Sequence, residues 1–230
     1  TTNVNGNKKL DVLTNKYIKK HENLFIKYYN EQILNKLSFQ FILGIWSDIK
    51  KSDVVYIQYL FHYTVFFALI FSVFQNKKII ICPRGSFSNF TLSNKLTVIK
   101  SLWLSFFIRP FSQKIIWQAS SYLEEKDILK RFSKAKVEII NDGVDCFSFQ
   151  NNIKLTREKL IHQFTKREFS QVSHLFFSMG RLHKIKRFDV LIDAFSLFVK
   201  DKKSAKLLIA GGDDGVKSAL ENQIKDLGLT

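Results

Sequence analysis

From residue 52 onward, short apolar runs alternate with longer segments in which apolar side chains recur every three or four positions. A short continuous apolar run is the pattern of a strand buried on both faces, and the wider spacing is that of an amphipathic helix. The chain thus predicts strands over 53–58, 78–82, 114–118 and 137–140, interleaved with helices over 60–75, 92–110 and 122–132. Asn141, Asp142, Gly143, Val144 and Asp145 then interrupt the pattern with a turn, 147–153 has no clear period, and a polar helix is expected over 156–164. Alternation restarts with a strand at 175–178, a helix at 188–199, a strand at 206–210 and a helix over 216–227. Strands separated by helices belong to parallel sheets covered by helices, so the fold class is α/β. Two Rossmann-like domains, 1–147 and 148–230, joined near 146–155, account for the interruption. Residues 1–50, laden with Lys and Asn, are expected to be rich in helix.

Composition narrows the function classes. At 230 residues and 46% hydrophobic, the chain has enough apolar material for real cores, which excludes disorder. The formal net charge of +16 attracts nucleic acid, anionic membranes or phosphorylated substrates alike. The excess is local: residues 51–100 carry six Lys and Arg against one acid, and 151–200 carry ten against four. Cys82 and Cys146 are far apart and lack the spacing of a zinc site, so each reads as a small buried apolar residue in a reducing cytoplasm. No histidine pair has metal spacing and no D-x-D occurs, so no divalent cation is expected. The apolar run over 59–74 is shorter than the roughly 20 residues a membrane span needs, and reads as a helix packed on a sheet. The chain opens with Thr1 and its single Met is Met179, which suggests a fragment; no signal peptide is visible.

Candidate chemistry gathers where strands end. Gly180 closes the 175–178 strand, and Arg181, Lys184, Lys186 and Arg187 follow before the 188–199 helix. A helix N-terminus offers free N–H groups and the positive end of the macrodipole, so Arg181 and Lys186 there would form an anion site for a phosphate or diphosphate, whereas a basic loop taken alone can also be a solvated charge cluster at the surface. His183, in the same loop, reads as a surface residue. The turn Pro83-Arg84-Gly85-Ser86 follows the 78–82 strand, and parallel sheets place ligands at such strand ends. Arg84 can be aimed into a crevice there, or the segment can be an ordinary turn. Ser121 and Glu124 make a capping box, which leaves a substrate role for Glu124 as the lesser reading. Gly211 and Gly212 end the 206–210 strand and would let backbone approach a ligand, although a simple strand-to-helix turn looks the same.

Taken in order, these motifs over about residues 52–229 resemble the glycosyl transferases group 1, the retaining nucleotide-sugar-dependent enzymes of GT-B fold. The resemblance rests on Tyr56-Ile57-Gln58, on Cys82-Pro83-Arg84-Gly85, on Ala119-Ser120-Ser121 with Glu124, and on Ile140-Asn141-Asp142-Gly143-Val144-Asp145. Its most specific parts are Gly180-Arg181-Leu182 with Lys186, and Leu208-Ile209-Ala210-Gly211-Gly212. It implies two Rossmann-like domains with parallel sheets, both incomplete here, and a donor diphosphate held at the interdomain cleft. Arg181 and Lys186 would be catalytic, with Gly180, Gly211 and Gly212 completing the donor side, and Arg84, Gly85, Ser86 and Glu124 on the acceptor side. No cofactor or metal is implied beyond the nucleotide sugar itself. The acceptor would be a saccharide or a lipid-linked molecule, in cell-surface polysaccharide biosynthesis at the inner face of the membrane, and no nucleic acid is expected. Three positions depart from the family pattern: Gln58 replaces His, Asp142 replaces Asn, and Arg187 stands where Gly usually follows the lysine. The family's glycine-rich acceptor loop has no counterpart, and its sugar-binding segment would follow Thr230, so the fragment alone is expected to be inactive.

A rival from another class stays open: a non-catalytic basic α/β module for nucleic acid or anionic lipid. Residues 92–110 feed that alternative, since Lys95, Lys100 and Arg109 alternate with Trp103, Phe106 and Phe107 as in an interfacial helix, although a core-facing stripe with a basic outer face fits equally.

Overall fold

A computed structural model describes residues 1–5, 8–31, 37–93, 97–146, 156, 158–159, 172–200 and 204–229, and the chain divides into two compact units, Thr1–Val144 and Asp145–Thr230. Lys95, the aperiodic 147–153 stretch and all but three residues of the expected 156–164 helix lie outside the described residues.

The first unit is built on a four-stranded parallel sheet, β5 (Val54–Gln58), β6 (Lys78–Cys82), β7 (Ile115–Ala119) and β8 (Lys136–Ile139), in sequential order. Each lies within a residue or two of the run that predicted it. Helices α2 (Tyr63–Phe74) and α5 (Tyr122–Arg131) cross over between neighbouring strands. Ile57, Ile79, Ile81, Ile115 and Trp117 from the sheet pack with Val65, Leu69 and Ile128 from these helices, which makes one continuous core. Burial of this many branched and aromatic side chains is the main stabilising term of the unit.

Two expectations fail here. Residues 1–50 hold one described helix, α1 (Phe39–Lys50), and otherwise form two antiparallel ribbons, β1 (Val4–Asn5) with β2 (Lys8–Lys9) and β3 (Tyr17–His21) with β4 (Leu24–Lys27). The signal was present: β-branched and aromatic residues flank Glu22-Asn23, a two-residue turn between His21 and Leu24. The ribbon docks on α1 through Asp48, which accepts from Tyr17 Oη (2.7 Å), from Lys27 Nζ (2.8 Å) and from Tyr29 Oη. Gly44 makes room for this, because a Cβ there would collide with the Tyr29 ring.

The expected helix over 92–110 likewise departs from a regular α-helix. Its described residues belong to α3 (Asn89–Ser93) and to α4 (Thr97–Trp103), which runs directly into a π turn (Leu104–Ile108) and a 3-10 turn (Arg109–Phe111). Pro110 has no N–H to continue an α ladder. The π turn, closed by Arg109 N–H to Leu104 O, buries both Leu104 and Ile108.

In the second unit, β9 (Leu175–Met179) and β10 (Lys206–Ala210) pair in parallel. One face packs, through Leu207 and Ile209, on α6 (Phe188–Val199) and α7 (Lys217–Asp226), whose Phe188, Ile192 and Leu220 are buried. The alternate positions Phe177 and Met179 are exposed, so only one face of this strand pair is covered among the described residues. The cysteines also differ from expectation: Cys82 is buried in β6, but Cys146, beyond the last strand of the first unit, is exposed.

Candidate functional site

In the second unit the basic loop is held by its neighbour. Beyond the last paired residues, Gly180 N–H donates to Ala210 O (2.9 Å), Leu182 N–H to Gly212 O (2.9 Å) and Asp214 N–H to Leu182 O (3.1 Å). The loops after β9 and β10 thus run on as an extension of the parallel ladder. Gly211 is required by this approach, since a Cβ on it would fall inside the Gly180 carbonyl. Gly212 faces open space, and Gly180 is covered by the aliphatic stem of Lys186.

Arg181 Nη1 donates to Asp214 Oδ2 at 2.7 Å, in a pair exposed to solvent. Lys186 N–H donates to His183 O (2.8 Å), and its ammonium makes no ion pair among the described residues. It ends a 3-10 turn, Lys184–Lys186, capped by His183, whose Nδ1 accepts from Ile185 N–H (3.2 Å). The histidine is therefore a cap as well as a surface residue, a role that its position two residues before Ile185 could have suggested. Asp213 Oδ1 caps α7 in the same way, accepting from Gly215 N–H (3.0 Å) and Lys217 N–H (3.1 Å). The Lys217 bond, followed by the Gly215 bond, holds the Asp213 carboxyl below the ordinary carboxylate value.

The start of α6 differs from a bare N-terminus. Arg187 precedes it in the left-handed region, with φ 52° and ψ 41°, and its Nε donates to Asp189 at 3.1 and 3.2 Å. This hydrogen bond first, and the Arg187 charge as well, depress the Asp189 carboxyl. An acid thus occupies the first turn of the helix, where an incoming anion would otherwise meet only positive dipole.

In the first unit, Pro83-Arg84-Gly85-Ser86 is a tight turn after β6, closed by Ser86 N–H to Pro83 O (3.1 Å), with Arg84 at φ 53° and Gly85 at φ 73°. Both central residues are left-handed, as in a type I′ turn. Glu124, 6% exposed in α5, clamps this turn to the loop after β7. Its Oε1 accepts from Gly85 N–H (2.6 Å) and its Oε2 from Ser120 N–H (2.7 Å) and Ser120 Oγ (2.8 Å). Ser121 Oγ accepts from Glu124 N–H (3.3 Å), as the capping box predicts, but the carboxylate reaches farther than a box requires. The buried Ser86 donates through Oγ to Pro83 O. Arg84 alone of this group projects a charge, and its Nη1 donates to Asp142 in an ion pair. The structure therefore brings Arg84, Gly85, Ser86 and Glu124 together at one strand end, with Glu124 shaping the turn from within.

Residues 162–230 match the profile of the family described as Glycosyl transferases group 1. The match lies within the second unit. The fold agrees: Anabaena HepE in complex with UDP and glucose superposes with a TM-score of 0.62 at 15% identity, over 88% of this chain and 53% of that one. A variant of S. aureus TarM, in complex with Fondaparinux, alpha-GlcNAc-glycerol and UDP, gives a TM-score of 0.56 at 19% identity, over 82% and 34%. At these identities the likeness is one of fold, the GT-B architecture. The chain spans about a third to about half the length of these structures. No curated protein matches it at a significant level.

Against the group 1 pattern, Asp142 in the place of Asn supplies the carboxylate that neutralises Arg84. Arg187 in the place of Gly keeps the left-handed backbone that Gly adopts freely. Asp142 stood out in the sequence as a departure from the family pattern but not as the partner of Arg84, and the pairing of Arg181 with Asp214 was not foreseen, although each acid lies next to a glycine after a strand.

Proposed function

We propose that the chain belongs to a retaining glycosyl transferase that moves a sugar from a nucleotide diphosphate donor to a saccharide or lipid-linked acceptor in cell-surface polysaccharide synthesis. The observation that carries this reading is the basic loop at Arg181 and Lys186, zipped to the Gly211-Gly212 loop inside the family-matched segment. As the bond between sugar C1 and the diphosphate oxygen breaks, negative charge builds on the departing diphosphate. Arg181 and Lys186 stabilise that charge more in the transition state than in the ground state, which is what lowers the barrier. The two cations supply the positive charge, so the reading invokes no divalent metal. Arg181 must first leave Asp214, and because that pair is solvent-exposed its release costs about 0–1 kcal/mol. Arg84, with Gly85 and Ser86, is assigned to the acceptor side, and Glu124 holds the turn that presents them.

Calorimetric titration of the full-length protein with UDP and other nucleoside diphosphates, paired with a sugar-transfer assay, tests this. Arg181→Ala and Lys186→Ala should each lower turnover on the order of 10²-fold while the protein stays folded. Unchanged turnover in Lys186→Ala refutes the assignment. Salt-steep binding of DNA, with no binding of any nucleoside diphosphate, would point instead to a nucleic-acid module.

A further inference from the structure

We propose that the outer face of the first unit, formed by α1, α2 and residues 97–111, docks on an anionic membrane surface. This goes beyond the transferase reading and does not depend on it.

Six aromatic rings run across this face from one element to the next. Trp46 of α1 meets Phe71 of α2 with centroids 5.1 Å apart, followed by Phe71 to Phe67 at 5.8 Å and Phe67 to Phe66 at 5.2 Å. Phe66 then meets Phe107 of the π turn at 4.8 Å, and Phe107 meets Trp103 at 4.9 Å. Beside this belt, Val98, Ile99, Leu102 and Phe106 stand 72%, 58%, 50% and 68% exposed. They recur along one side of the segment while Leu104 and Ile108 on the other side are buried in the core. A helix facing only water would carry polar residues at those positions. Ile99 and Trp103 also line a cavity of about 280 Å³ with Phe61, His62, Tyr63 and Lys100, a recess of the size and chemistry for part of an acyl chain.

Charge chooses the occupant. From Val54 to Leu123 the sequence has no Asp or Glu and seven Lys and Arg: Lys77, Lys78, Arg84, Lys95, Lys100, Arg109 and Lys114. Lys100 extends along the patch with Nζ 5.6 Å from the Phe61 ring centroid, and Arg109 and Lys114 are exposed at its far end. The one acid on α1, α2 and 97–111 is Asp48, which is taken up by Tyr17, Lys27 and Tyr29, so exposed aliphatic and aromatic anchors among cations complement acyl chains below and anionic headgroups above. Among the described residues no helix is long and apolar enough to cross a membrane, so the contact is one of surface docking.

Co-sedimentation of the full-length protein with phosphatidylcholine vesicles, with and without phosphatidylglycerol, tests the proposal. Binding to the anionic vesicles should be at least on the order of tenfold tighter than to neutral ones, and should weaken with salt. The double variant Leu102→Asp/Phe106→Asp, at two exposed positions, should lose at least on the order of tenfold in vesicle affinity while circular dichroism and UDP binding stay unchanged. Wild-type protein that remains in the supernatant, or a double variant that binds as well as wild type, overturns the proposal. So does a wild-type dimer that the double variant dissolves, which would assign the face to a second copy of the chain. UDP titration on the same samples reads the donor site separately, so failure of one reading is distinct from failure of the other.

Discussion

Replacing Glu124 separates two roles for a buried carboxylate at a strand-end site: holding the turn, or touching the substrate. Its oxygens are 2.6 Å from Gly85 N, 2.7 Å from Ser120 N and 2.8 Å from Ser120 Oγ, and the residue is 6% exposed. In Glu124→Ala the Ser120 hydroxyl can turn to another acceptor, but the two amides cannot move without moving backbone. Losing two hydrogen bonds to a charged group, at roughly 1.5–3 kcal/mol each, gives an expected destabilisation of about 3–6 kcal/mol. The clamped turn is itself unfavourable, because Arg84 at φ 53° is a side-chain-bearing residue in the left-handed region, so it relaxes once released. For a domain of this size each kcal/mol moves the midpoint by roughly 2–4 °C, and the drop should be about 6–24 °C. Glu124→Gln keeps one acceptor but turns an NH₂ toward an amide donor, and should lose about half as much. Thermal unfolding followed by circular dichroism, with a transfer assay on the full-length protein, measures both effects. If Glu124→Ala melts with the wild type yet transfers no sugar, the clamp argument is wrong and the carboxylate touches substrate.

The glycines of the second unit should behave unequally. Gly211→Ala forces the loop away from the Gly180 carbonyl and should cost about 3 kcal/mol together with nucleoside diphosphate binding, whereas Gly212→Ala, facing open space, should stay within about 0.5 kcal/mol of wild type. Equal melting midpoints for the two variants refute this packing. The Asp48 cluster gives a pH dependence. Partial burial alone would raise the Asp48 carboxyl, but the bonds from Lys27, Tyr29 and Tyr17 together outweigh it and hold it below the ordinary value. Its contribution to stability is therefore present above the unfolded carboxylate pKa, about 3.9, and is lost as pH falls through the lower folded value. Urea unfolding between neutral pH and strong acid should show a shallower acid loss in Asp48→Asn, and identical slopes in the two proteins would exclude the cluster as a contributor.

The parallel strands were legible because burial on both faces leaves an uninterrupted apolar run, as Ile79-Ile80-Ile81 and Ile115-Ile116-Trp117 show. The docking of the amino-terminal ribbon on α1 was not, because it runs through Asp48, a residue distant in sequence. Nothing local to Tyr17 or Tyr29 announces that partner. The π turn escaped for a different reason: 92–110 has helical spacing throughout, and Leu104 and Ile108, four positions apart, fall on one face of an α or a π turn alike. At the candidate site, the cations and glycines stood out as motif residues. The hydrogen bonds of Glu124 to Gly85 and of Arg181 to Asp214 join residues 39 and 33 positions apart, and spacing rules that operate within one element cannot see them.

The three arginines at the candidate sites share one arrangement. Arg84 is tied to Asp142, Arg181 to Asp214 and Arg187 to Asp189, and in each pair the acid sits on a neighbouring turn or helix start. Because these pairs are largely solvated, none can lock its cation against a multiply charged ligand. What they do is set direction: a guanidinium held by a carboxylate is already oriented, and less side-chain entropy would be lost if an anionic ligand took the carboxylate's place. Lys186 follows the opposite logic. Its stem lies on Gly180 and its ammonium has no partner among the described residues, so its full charge is available at the start of an encounter. At Arg187 the left-handed backbone carries a penalty of about 1–2 kcal/mol that glycine would avoid. A charge at that position, paired with the first-turn acid of α6, therefore serves the loop's electrostatics at the expense of its backbone.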